Sequence, residues 1–94
     1  MKTVELSVKV KNALGLHARP ASALTKLLQK CNSKVTISYR DKTADARSII
    51  SILMLAINKN SELILIIEGE DADETAKRLT RAFENQFGEL EQEY

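Results

Sequence analysis

The chain has 94 residues, of which 44% are hydrophobic and 29% charged, and a formal net charge of +1. This length suits one domain spanning residues 1–94 with a modest core, and the composition is that of a globular chain, not a disordered one. No apolar run nears the roughly 20 residues that cross a bilayer, and near-neutral charge argues against a nucleic-acid partner.

Val4, Leu6, Val8 and Val10 alternate with Glu5, Ser7, Lys9 and Lys11, the period of a half-buried strand. Because the N-terminus alternates and forms no secretory apolar block, a cytoplasmic protein is expected. Asn12 to Leu16 reads as a loop, with Gly15 giving conformational freedom just before His17. From Pro20 onward, Leu24, Leu27, Leu28 and Cys31 mark the buried stripe of a helix ending near Asn32. Cys31 is the only cysteine and cannot form an internal disulfide; its spacing fits a small core residue.

Val35, Ile37 and Tyr39 mark a second strand, and a turn at Asp41-Lys42 leads to a short third near Thr43 to Ala46. Ser48 fits the cap of a helix from about Ile49 to Ile57, and Asn60 tolerates a left-handed turn. Leu63 to Ile67 is a strongly apolar strand ended by Gly69. Asp71 and Glu74 have capping-box spacing, and Ala76, Leu79, Phe83 and Phe87 form the inner face of a last helix. The acidic tail, about 89–94, is expected to fray. The order βαββαβα implies an α+β open-faced sandwich, one of several two-layer folds with helices over one face of a sheet.

Gly15-Leu16-His17-Ala18-Arg19-Pro20-Ala21 holds the only histidine and the only proline. Proline suits the first helical turn, so His17 falls at a helix mouth, where free N–H groups and the dipole favour an anion. Arg19 adds a planar cation matched to phosphate oxygens. A lone histidine beside a helix is often only a solvated neighbour of the cap, and a lone arginine only a surface charge. One His and one Cys make no plausible protein-only zinc site, so neither metal nor cofactor is expected.

The motif resembles the active-site signature of HPr, the histidine-containing phosphocarrier of the bacterial phosphotransferase system, and the resemblance runs over about residues 3 to 88. It implies a four-stranded antiparallel sheet with three helices on one face. It implies a carrier, not an enzyme: His17 would take a phosphoryl group on Nδ1 from phospho-enzyme I, charged by phosphoenolpyruvate. The group would then pass to a histidine of an enzyme IIA-type protein, with Arg19 offsetting its charge. The resemblance also implies a docking surface, expected at Leu16, Ser22, Lys26, Arg47, Ile49, Ile50 and Leu53, and a monomer is expected.

Apolar residues cover so much of the helix after Ser48 that it is either unusually buried or carries an exposed docking patch. Ser48 aligns with a serine phosphorylated in many Gram-positive members by an HPr serine kinase/phosphorylase. A plain N-cap is the alternative reading, and the capping role holds under either. Asn60 replaces a glycine common in the family, which bears on where the second helix ends; Leu14-Gly15 and Ser48 to Leu55 look more like the nitrogen-type branch, and Ala56 stands where sugar-type members more often have a glycine. Those departures favour a regulatory phosphorelay over simple sugar uptake.

Three other functions compete. A regulatory module controlled at Ser48 would have no need of His17. An RNA-binding domain is poorly served by two Tyr, two Phe and no Trp. A hydrolase lacks a triad or carboxylate pair around the single histidine. Residues 1–47 contain ten Lys or Arg against three acidic residues, while residues 48–94 contain four against ten. This asymmetry steers acidic partners only if folding keeps the halves apart.

Overall fold

A computed structural model describes residues 1–89. Strand β1 (Thr3–Lys9) leads to helix α1 (Ala18–Leu28), strands β2 (Lys34–Tyr39) and β3 (Lys42–Asp45), helix α2 (Ile49–Met54), strand β4 (Glu62–Glu68) and helix α3 (Ala72–Glu84). The sheet order is β1-β4-β2-β3, with every neighbouring pair antiparallel. β4 therefore separates β1 from β2, which run parallel to each other and need α1 as their crossover. All three helices lie over one face of the sheet, an α+β open-faced sandwich.

The register explains which residues face the helices. Leu6 pairs with Leu65, Leu65 with Ile37 and Ile37 with Ala44, one apolar row across all four strands. The rows on either side, Val8 with Leu63 and Ile67 with Val35, extend it. Leu24, Leu28, Ile52, Leu79 and Phe83 close the core from the helices. The opposite face carries Glu5, Ser7, Thr36 and Ser38, the polar partners expected from the strand alternation.

Several element ends differ from the sequence expectations. α1 begins at Ala18, two residues before Pro20, and stops at Leu28, not near Asn32. Cys31 is buried as expected, although it lies in the turn beyond the helix, where its N–H donates to the Leu28 carbonyl. α2 ends at Met54 instead of Ile57, because Ala56 enters the left-handed region at φ 53°. Asn60 is left-handed as expected, at φ 71°.

Asp71 precedes α3 but makes no capping bond with its side chain. Its carboxylate instead accepts from the Asn32 N–H at 2.8 Å and from the Ser33 hydroxyl, tying the start of α3 to the turn after α1. A capping box was the wrong reading because those donors lie across the fold, not in the helix. Phe87 lies outside α3, in a turn over Gln86–Gly88, yet still packs edge-on against Phe83 with ring centroids 4.9 Å apart. Among the described residues, no helix is long and apolar enough to cross a membrane.

Candidate functional site

The site is built where the chain leaves the sheet and enters α1. Gly15 takes φ +70°, and a Cβ there would lie 2.1 Å from the Ile57 carbonyl oxygen. Only glycine allows this approach, which the Leu16 N–H seals by donating to the same oxygen at 3.0 Å. The loop before α1 is thereby fastened to the segment after α2. His17 follows as the N-cap of α1, with extended backbone and no capping bond from its ring. Its carbonyl accepts the Ala21 N–H, and its side chain is 32% exposed.

The first-turn amides of Ala18 and Arg19 have no acceptor within the helix, and no acidic residue occupies that turn. Pro20 contributes no N–H, so its place there leaves no further donor unpaired. Arg19 is exposed, with no hydrogen bond or ion pair among the described residues. His17 and Arg19 thus stand together at the positive end of α1.

Three residues not anticipated from the sequence complete the surroundings of His17. Nε2 of His17 lies 3.1 Å from both carboxylate oxygens of Glu89. Asn12 is fully buried and donates from Nδ2 to the Gln86 carbonyl at 2.8 Å and to Glu89 Oε1 at 2.7 Å. Two acceptors on one nitrogen fix the orientation of the amide. The backbone reaches this position through Gln86, Phe87 and Gly88, all left-handed at φ 56°, 52° and 81°. Glu89 is therefore held in place, contrary to the expected fraying at that residue; the rest of the acidic tail, 90–94, lies outside the described residues.

Asn12 did leave a signal in the sequence. It continues the inward positions Val8 and Val10, so a polar side chain falls where the alternation calls for an apolar one. Glu89 left none, because a single acid after Gly88 looks like any solvated tail.

The expected docking residues separate in the structure. Ile50 is 73% exposed, Leu53 is exposed, and Ile49 is half-buried against the core. Met54 and Leu14, 74% and 76% exposed, extend the apolar surface beyond the residues singled out from the sequence. Ile52 and Leu55 face inward, so α2 has one buried side and one bare side.

Leu16 does not belong to this surface: it is buried in the core at 2% exposure. Arg47 is tied into the fold, donating from Nη1 to the Ser33 carbonyl and from Nη2 to those of Leu28 and Cys31, at 2.8 to 3.0 Å. Its guanidinium adds side-chain donors to carbonyls at the end of α1 and in the turn that follows. Ser22 is half-buried, while Lys26 lines a groove of about 640 Å³ between α1 and α3 with Lys30, Arg78 and Arg81. Ser48 caps α2, its hydroxyl accepting from the Ser51 N–H at 3.2 Å.

The family model described as PTS HPr component phosphorylation site matches residues 4–85. Phosphocarrier protein HPr of Chlamydia trachomatis is 38% identical over 92 residues, which cover 96% of this chain and 84% of that protein. Phosphocarrier protein HPr of Cupriavidus necator is 39% identical over 80 residues, covering 85% of this chain and 90% of that one. The crystal structure of HPr-C-His from Thermoanaerobacter tengcongensis superimposes with a TM-score of 0.87 at 34% identity, covering 97% of this chain and all of that one. With the fold, the motif and these relatives in agreement, the chain belongs to the HPr family and is a phosphocarrier of the phosphotransferase system, not an enzyme.

Proposed function

We propose that His17 is the residue that carries the phosphoryl group, receiving it on Nδ1 from phospho-enzyme I and passing it to a histidine of an enzyme IIA-type protein. The observation that carries this reading is a part-exposed imidazole at the mouth of α1, unused as a cap and beside an arginine without a partner among the described residues. The first-turn N–H groups and Arg19 offset the charge of the incoming phosphoryl without burying it, so the group stays transferable. Transfer between two imidazoles is nearly balanced in energy, and binding has to supply only orientation and charge stabilisation.

The bare side of α2, with Ile50, Leu53 and Met54, is the docking surface in this reading. Phosphorylation of Ser48 would place about −1.5 to −2 charges at its edge and weaken an acidic partner's hold. An HPr serine kinase/phosphorylase is the partner that this regulation requires. Leu14 in place of a polar residue and Ala56 in place of a glycine resemble the nitrogen-type branch, and on that resemblance we read the output as a regulatory phosphorelay in the cytoplasm.

The test is intact-protein mass after incubation with phosphoenolpyruvate and enzyme I of either type. Wild type should gain one acid-labile phosphate. The folded His17→Ala variant should gain none. Phosphate on that variant, or none on wild type from active enzyme I, contradicts the reading.

A further inference from the structure

A carboxylate beside the only histidine is unusual in this chain because the backbone takes a costly route to put it there. Gln86 and Phe87 are non-glycine residues in the left-handed region, followed by a left-handed Gly88. Left-handed runs are rare for side chains with a Cβ, and they persist only where surrounding contacts over-determine them. Those contacts are present. Phe87 packs on Phe83, the Gly88 N–H donates to the Asn85 carbonyl, and the Glu89 N–H to that of Gln86. Asn12 holds both ends of the turn from beneath, and the interaction leaves its own Oδ1 buried and unpartnered. An orphaned buried oxygen is costly, so the amide is committed to holding Gln86 and Glu89.

We infer that Glu89, held by Asn12, is a positioning residue that keeps the ring hydrogen of His17 on Nε2 and so makes Nδ1 the attacking nitrogen. The inference rests on His17 being the phosphoryl acceptor. An ionised carboxylate only accepts hydrogen bonds, so the pairing at 3.1 Å requires Nε2 to donate. A neutral ring with its hydrogen on Nε2 has its free lone pair on Nδ1.

The transfer balances around that hydrogen. The Nδ1 lone pair forms the new N–P bond while the donor's N–P bond breaks, and that electron pair stays on the donor imidazole. The His17 ring then carries a positive charge, with its hydrogen still on Nε2 facing Glu89. On delivery the N–P bonding pair returns to Nδ1 and the ring is neutral again. Glu89 gives and takes no proton; it orients the ring and opposes the charge that develops on it, as the buried carboxylate does behind the histidine of a catalytic triad.

The experiment uses the full chain with uniform 15N labelling, and a single histidine leaves no ambiguity in assignment. Wild type should show one neutral tautomer, with a slowly exchanging Nε2 hydrogen. Glu89→Ala should show mixed tautomers and fast exchange. Its kcat as an enzyme I substrate should fall about tenfold with little change in KM, the scale of one lost charge-assisted hydrogen bond. Glu89→Gln still offers a carbonyl acceptor, so it should restore the single tautomer and part of the rate.

Glu89→Ala that keeps one tautomer and the wild-type rate overturns the inference, whatever its melting temperature, and leaves the turn a purely structural clasp. Wild type that accepts no phosphate overturns the carrier reading and this inference with it. Wild-type acceptance with an unaffected variant overturns the inference alone.

Discussion

Arg19 and Asp71 are charged side chains at the starts of two helices, one facing solvent without a partner among the described residues and the other tied across the fold. Arg19 is exposed and unpartnered among the described residues, so Arg19→Ala should change unfolding free energy by less than about 0.5 kcal/mol. The same substitution should slow phosphoryl acceptance several-fold by removing a phosphate-matched cation, and stopped-flow transfer alongside a urea titration separates the two. Asp71 acts on stability instead. The Asn32 N–H and then the Ser33 hydroxyl favour its ionised form and lower its pKa from the ordinary 3.8. A carboxyl with a lower pKa folded than unfolded adds stability above the unfolded value, and that contribution is lost as pH falls from about 3.8 through the folded value. Asp71→Asn should therefore lower stability at neutral pH and flatten the acid limb of a stability-pH curve. At this scale the motif made His17 and Arg19 legible. Asn12 showed only as a polar residue at an inward position of the alternation and Glu89 not at all, because the clasp joins residues far apart in sequence through a left-handed turn that no local pattern announces.

Helix α2 does two jobs with six residues. Ile52 is buried, while Ile50 and Met54 face outward, which a helix this short sustains only with a good cap. Ser48 provides that cap, and aspartate serves nearly as well in the same position. Ser48→Asp should therefore melt within a few degrees of wild type while binding enzyme I more weakly, and Ser48→Ala should lose about 1 kcal/mol of stability with little change in binding. Calorimetric titration with equal affinity for wild type and Ser48→Asp would contradict the docking role of α2. The sequence left open whether the apolar excess of this helix was core or surface; the structure assigns some to each. Leu16 and Arg47 were harder to read. Leu16 is drawn into the core by the loop fastened at Gly15, and Arg47 spans three carbonyls from two other segments. Both depend on how elements meet, which single-element periodicity does not encode.

Over the whole molecule, strand alternation, the apolar run of β4 and helical stripes were enough to give the order of elements: β1 and β2 each have one apolar and one polar face, while β4 carries Ile64 and Ile66 on its outer face as well. Strand order was not in the pattern. β4, from the acidic half of the chain, lies between β1 and β2 from the basic half. The halves therefore interleave, and the charge asymmetry along the chain does not become two opposed hemispheres. What the interleaving does provide is a rigid frame: the parallel β1 and β2 carry α1 between them, and the end of α3 returns beneath its mouth. The histidine and the arginine are delivered together at the start of α1, and the carboxylate behind the ring is delivered by the turn after α3. The central claim is that this frame presents Nδ1 of His17 as the phosphoryl carrier. The most direct measurement is phosphorus-nitrogen correlation NMR of the 15N-labelled chain after charging with enzyme I and phosphoenolpyruvate. The account predicts phosphorus bonded to Nδ1 of His17 with hydrogen retained on Nε2; phosphorus on Nε2, or on no nitrogen of His17, would contradict it.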